Sequence, residues 1–107
     1  MRKAMVKVNG KPAGRLEKTA EGYRFTYLDS YLELTENPSV SLTLPKASEA
    51  FESSTLFPFF HGLLAEGALK KEQCIKLRLD ENDHFGRLLK TTHQDTIGAV
   101  TVHQEEE

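Results

Sequence analysis

The stretch TLFPFFHGLLAEG, from Thr55 to Gly67, constrains the fold most, because it is the densest apolar run in the chain. Wound as a helix, it places Leu56, Phe60 and Leu63 in a stripe at i, i+4 and i+7. Phe59 flanks that stripe on one side, and Phe57 and Leu64 on the other, so the apolar arc spans roughly 160°. His61, Gly62, Ala65 and Pro58 fall opposite. Pro58 has no amide hydrogen and belongs in a first turn, which makes Thr55 the expected N-cap, with Ser54 as its rival. Gly67 is the expected stop. A helix this apolar needs a sheet beneath it. Whatever part of the arc the sheet leaves uncovered is open to another protein.

The flanking segments supply that sheet. Val6 and Val8 alternate with Met5 and Lys7, the pattern of a half-buried strand over 4–9. Asn9-Gly10 follows, a hairpin signal because both turn positions of a type I′ turn need φ > 0. The return strand is expected near 13–18. After a second turn closed by Gly22, Tyr23, Phe25 and Tyr27 alternate with polar residues in a third strand over 23–28. Asp29 to Glu36 suits a short helical turn ended by Asn37-Pro38. Val40, Leu42 and Leu44 alternate up to Pro45 and predict a fourth strand over 40–44, and the polar segment Lys46–Ser54 predicts a loop. A second helix is expected over Leu69–Leu79, with Cys74, Ile75 and Leu79 inward and Lys70, Lys71, Lys76 and Arg78 solvated. Asp83 is a good N-cap for a third helical set, Phe85, Leu88 and Leu89. The polar His93-Gln94-Asp95 reads as a loop. Val100 and Val102 share one face of a fifth strand over 97–102, where Gly98 suggests a bulge. Glu105 to Glu107 is expected to fray. The fold class is therefore α+β: one domain with a five-stranded, mainly antiparallel, curved or barrel-like sheet and two to three helices packed on it.

Composition excludes several functions. At 107 residues the chain can bury about 65% of its unfolded surface without metal or disulfide staples. The net charge of −2 offers no basic field for nucleic acid. No apolar run approaches the roughly 20 residues of a membrane span, and the first residues lack a signal-peptide core. With a single cysteine, a reducing cytoplasm is the expected compartment. His61, His84, His93 and His103 stand at no metal-ligand spacing, and Cys74 has no Cys-x-x-Cys partner, so no metal and no cofactor are expected. Gly-x-Ser-x-Gly and glycine-rich phosphate loops are absent, so no catalytic residue is assigned. His61 has two readings: an exposed helix residue, or a polar contact where a partner docks. Glu66 likewise is either a solvated carboxylate or an anchor for a partner's cation.

Five segments together resemble a known family: Val6-x-Val8-Asn9 with its hairpin, Gly14-Arg15-Leu16, Ser41 to Pro45, the Phe59-Phe60-x-x-Leu63-Leu64-x-Glu66 helix, and Ile97-Gly98-Ala99-Val100-x-Val102. They resemble the N-terminal subdomain of the HipA family of bacterial serine/threonine kinase toxins. That family commonly carries proline where this chain has Ala65. None of the kinase's ATP-binding, catalytic-loop or Mg²⁺-binding segments occurs in these residues. A free-standing copy is similar to the HipS family of the three-component HipBST toxin–antitoxin systems. The resemblance implies a non-enzymatic antitoxin that binds and neutralises a HipT-like kinase, in a complex with the DNA-binding protein HipB. The alternative it leaves is the truncated N-terminal regulatory subdomain of a full-length HipA-type kinase. For either, the expected partner-binding residues are Phe59, His61, Gly62, Leu64, Ala65 and Glu66, docking beside the kinase's N-terminal lobe and restricting its movements. Phe59 and Leu64 also have a bland reading, in which they complete the core.

Overall fold

Asn9 and Gly10 adopt φ of 52° and 81°, the left-handed pair that a two-residue hairpin requires. In this computed structural model, which describes residues 2–92 and 99–105, that turn joins β1 (Arg2–Val8) to β2 (Lys11–Thr19). The two pair antiparallel from Arg2↔Lys18 to Val8↔Lys11, with a register shift between Val6 and Lys7. Opposite the shift lies Ala13, whose carbonyl instead accepts the Leu28 amide at 2.8 Å. The next strand, β3 (Gly22–Tyr27), pairs with β2 and sets Phe25 opposite Leu16. Gly14 permits this packing, because a Cβ there would sit 2.6 Å from the Phe25 ring.

The remaining strands, β4 (Phe51–Ser53) and β5 (Val100–Gln104), complete an open antiparallel sheet of order β4-β3-β2-β1-β5. Among the described residues four helices accompany it: α1 (Asp29–Leu32), α2 (Pro58–His61), α3 (Gly67–Leu77) and α4 (His84–Thr91). Ala4, Val6 and Val8 from β1, Phe25 and Tyr27 from β3, and Val102 from β5 are buried together with Phe60 and with Phe85 and Leu88 of α4. Asp83 caps α4 as expected, its carboxylate accepting the Gly86 amide at 3.0 Å. Glu105 is not frayed: a bidentate pair with Arg15, both contacts 2.7 Å, holds it beside β2.

Three sequence expectations need correction. The 40–44 segment is a turn, not a strand. Val40 and Leu44 are buried while Leu42 is 99% exposed. The Tyr27 hydroxyl accepts the Val40 amide at 2.9 Å and donates to the Leu44 carbonyl, so one buried group folds both ends of the segment around itself. The fourth strand is instead Phe51–Ser53, within the expected polar loop, where Phe51 lies opposite Phe25 and Glu52 pairs with Arg24. Third, the 55–67 helix is short, reduced to Pro58–His61. Phe57, not Thr55 or Ser54, occupies the N-cap, and Gly67 opens α3 rather than ending α2. Beyond α2 the bonding tightens to Leu63 N to Phe60 O and Leu64 N to His61 O, both 3.1 Å. Arg87 then donates to the Ala65 carbonyl at 2.6 Å, occupying the acceptor that a continuing helix would need. Within α3, Cys74 is buried but Ile75, expected inward, is 79% exposed. The readings of His93-Gln94-Asp95 and of Gly98, and the start of the fifth strand, lie outside the described residues.

Candidate functional site

Pro58 starts α2 without a lost hydrogen bond, and the helix is too short to bury a full arc. Leu56, Phe57, Phe60 and Leu64 nevertheless turn into the core. Leu64 therefore takes the bland reading and is not a surface residue. Phe59 is half-buried, its ring edge-on to Phe60 at 5.3 Å. His61, Gly62 and Glu66 are exposed and Ala65 is half-buried. The structure thus gathers His61, Gly62, Ala65, Glu66 and one edge of Phe59 at the α2–α3 junction, and withdraws Leu64.

Two features escaped the sequence. The first is α3, whose large apolar residues Leu69, Ile75 and Leu77 are all exposed while Cys74 is its one buried residue. Lysines at several angles around the helix mask that surface in a periodicity scan. The second is a cleft of 670 Å³ bounded by Lys18, Tyr23, Leu56, Pro58, His61 and His84, with the Ser54 and Thr55 segment at its margin. His61 and His84 are 23 positions apart in sequence, so no spacing rule pairs them. In space their rings meet edge to face at 5.2 Å.

The electrostatics of this cleft are one-sided. Burial pushes the His84 imidazole below its ordinary range, and the charges of His61, Arg87 and Lys70 push it further, against Asp83. Burial alone would raise the Asp83 carboxyl, but hydrogen bonds from Arg2 and the Gly86 amide outweigh it and hold the group below the usual carboxylate range. The Lys18 ammonium lies 4.9 Å from the centre of the Tyr23 ring. On its other side Tyr23 stacks on Phe85, with ring centres 6.2 Å apart. An ammonium and two imidazoles beside apolar side chains suit the binding of a ligand or partner group. Among the described residues no three His, Cys, Asp or Glu side chains are placed to hold a metal ion, and no helix is long and apolar enough to cross a membrane.

Comparisons with known proteins agree with this architecture. The sequence model of the HipA N-terminal domain matches residues 4–103. An uncharacterised protein of Haemophilus influenzae is 33% identical over 107 residues, covering all of this chain and 96% of that protein. The putative kinase Y4dM of Sinorhizobium fredii is 31% identical over 108 residues, which cover 94% of this chain but 26% of that protein. A solved structure described as the N-terminal domain of HipA toxin superposes with a TM-score of 0.76 at 33% identity, covering 100% of this chain and 95% of the other.

Proposed function

Because the chain belongs to the HipA N-terminal domain family, we propose that it acts as an antitoxin of the HipS type. In this reading it is a non-catalytic domain that docks on a HipT- or HipA-like serine/threonine kinase and holds it inactive, within a complex that also contains a HipB-like DNA-binding protein. The observation that carries the reading is the exposure of three large apolar side chains of α3, Leu69, Ile75 and Leu77, on different sides of the helix. Ordering Leu69, Ile75 and Leu77 in water gains nothing for an isolated domain, whereas covering them on a second protein stabilises a complex. His61, Gly62, Ala65 and Glu66 lie just ahead of α3 in the chain and extend the docking face. Inhibition then works through position. A rigid domain beside the kinase's N-terminal lobe restrains the glycine-rich loop and the Lys–Glu pair that must align to use ATP.

A second reading is favoured by the match to about a quarter of the putative kinase Y4dM. There the same face packs within one polypeptide and regulates it in cis. Both readings require docking on a kinase body. Mixing the purified protein with a HipA-family kinase body that lacks its own N-terminal domain tests the shared step. A stable complex burying about 800 Å² on each side, together with loss of phosphoryl transfer, is the expected result. No complex at micromolar concentration would refute both.

A further inference from the structure

The cleft between β2, β3, α2 and α4 is lined by one ammonium, Lys18, and two imidazoles, His61 and His84. None of its lining side chains is acidic, although the chain as a whole is net negative. Asp83, the acid nearest His84 in sequence, is already engaged by Arg2 at 2.8 Å and by the Gly86 amide. Arg87, whose charge acts on His84, is only 3% exposed and does not line the cleft. Its contacts are backbone carbonyls, Ala65 at 2.6 Å and Glu81 at 3.5 Å, and no carboxylate of the described residues pairs with it. The floor is apolar at the same time: Leu56, Pro58 and the Tyr23 ring line it. A bare inorganic anion would leave that floor wet. A group combining an apolar side chain with one negative charge would cover the floor and meet the cationic rim.

We propose that this cleft receives an acidic segment of the bound kinase, an aliphatic or aromatic side chain lying against Leu56 and Pro58 with its adjacent carboxylate at the rim formed by Lys18, His61 and His84. The proposal rests on the antitoxin reading for the source of the carboxylate, but its chemistry is separable from that reading. His61 and Gly62 belong both to the cleft and to the α2–α3 face, so one partner can fill the first while covering the second. Binding an anion beside His84 favours its imidazolium form. Affinity therefore rises as pH falls, with His61, Arg87 and Lys70 opposing the gain of charge at His84 and Asp83 assisting it.

Two measurements on the full chain test this. The first follows the His61 and His84 ring signals by NMR during titration with 3-phenylpropionate, and with neutral 3-phenylpropan-1-ol as control. Saturable shifts with the acid, at least about tenfold tighter than with the alcohol and weakened by salt, are expected. Equal affinity for the two, or no saturation, overturns the assignment of an anionic ligand. The second measures kinase-body affinity for Lys18→Glu and His61→Glu. His61 is exposed, so the second variant folds even if the first does not. A loss of about tenfold or more is expected from placing like charges together. If the acid binds but both variants hold the kinase body at wild-type strength, the cleft takes a free carboxylate and the partner assignment is overturned. If the wild-type protein captures no kinase body, the antitoxin reading fails along with the source of the carboxylate, and the titration alone decides the chemistry of the cleft.

Discussion

The β1–β2 hairpin and the segment from Val40 to Leu79 reach order by different routes. In the hairpin, each residue's own chemistry agrees with its place. Asn9 and Gly10 accept positive φ, and Ala4, Val6 and Val8 alternate inward. From Val40 onward, distant groups decide. The Tyr27 hydroxyl folds the 40–44 turn, the edge of β3 recruits Phe51–Ser53, and Arg87 holds the break between α2 and α3 through Ala65. A region built from local preference survives the loss of a remote contact, whereas a region held by single buried anchors does not. The second region also carries the exposed apolar side chains of α3, as expected if docking surfaces concentrate where the fold leaves the backbone's course to a few contacts.

Phe60 gives the largest test of this contrast. Its ring is fully buried and packs against Phe25, Phe57 and Phe59, with ring centres between 5.3 and 6.3 Å apart. Phe60→Ala is expected to cost about 3–5 kcal/mol in denaturant unfolding. Amide exchange should accelerate first around α2 and α3 and last in the hairpin. Tyr27→Phe comes next. It removes one hydroxyl but strands two buried backbone groups, the Val40 amide and the Leu44 carbonyl, so a cost of about 2–3 kcal/mol is expected. If the cost proves negligible, the 40–44 turn does not depend on that anchor and the contrast between the regions weakens.

What was legible in the sequence follows the same division. The first three strands, the Asp83 cap and the inward pair Val100 and Val102 were readable, because alternation, turn chemistry and capping are local signals. The Val40–Leu44 alternation misled because its period of two matches a strand, while the deciding partner, Tyr27, lies 13 residues before Val40. In Lys46–Ser54 only Phe51 hinted at a strand. The apolar helix was located correctly but drawn too long, since nothing near Ala65 reveals a guanidinium arriving from position 87. Of the candidate site, His61, Gly62, Ala65 and Glu66 could be placed at a surface from periodicity. The meeting of His61 with His84 could not, because tertiary packing alone creates it.

Within the hairpin, Gly10→Ala should cost about 1 kcal/mol, since φ of 81° is strained for any residue with a Cβ even though the space beside it is open. Thermal unfolding of the variant reads that cost directly. A loss well above it would make the hairpin as dependent on one position as the 40–44 turn is. The hairpin's acid response rests on Glu105, held low first by its hydrogen bonds from Arg15, and Asp83, held low by Arg2 and the Gly86 amide despite burial. Both folded-state values lie below the unfolded ones. Their stabilisation is therefore fully present above about pH 4 and is lost as pH falls through the folded values. Melting temperature should decline across that window, and Arg15→Gln should flatten part of the decline. Exposure of both pairs keeps the effect modest.

The smallest stability effect is expected at Ile75, and it separates folding from function most cleanly. Ile75 is 79% exposed on α3, so its side chain contributes little burial in the free protein. Ile75→Asp should shift unfolding free energy by less than about 0.5 kcal/mol. A carboxylate set into an apolar interface, by contrast, is desolvated without a partner, so affinity for a kinase body should fall by at least about tenfold. Lys71→Asp, on the same helix and also exposed, is the control for charge alone. If Ile75→Asp weakens the complex and Lys71→Asp does not, Ile75 on α3 contacts the kinase through its apolar side chain. If both variants bind as the wild type does, α3 faces solvent in the complex and the kinase meets the domain through the cleft of His61 and His84. A variant that unfolds would mean instead that Ile75 belongs to the core, which its exposure contradicts.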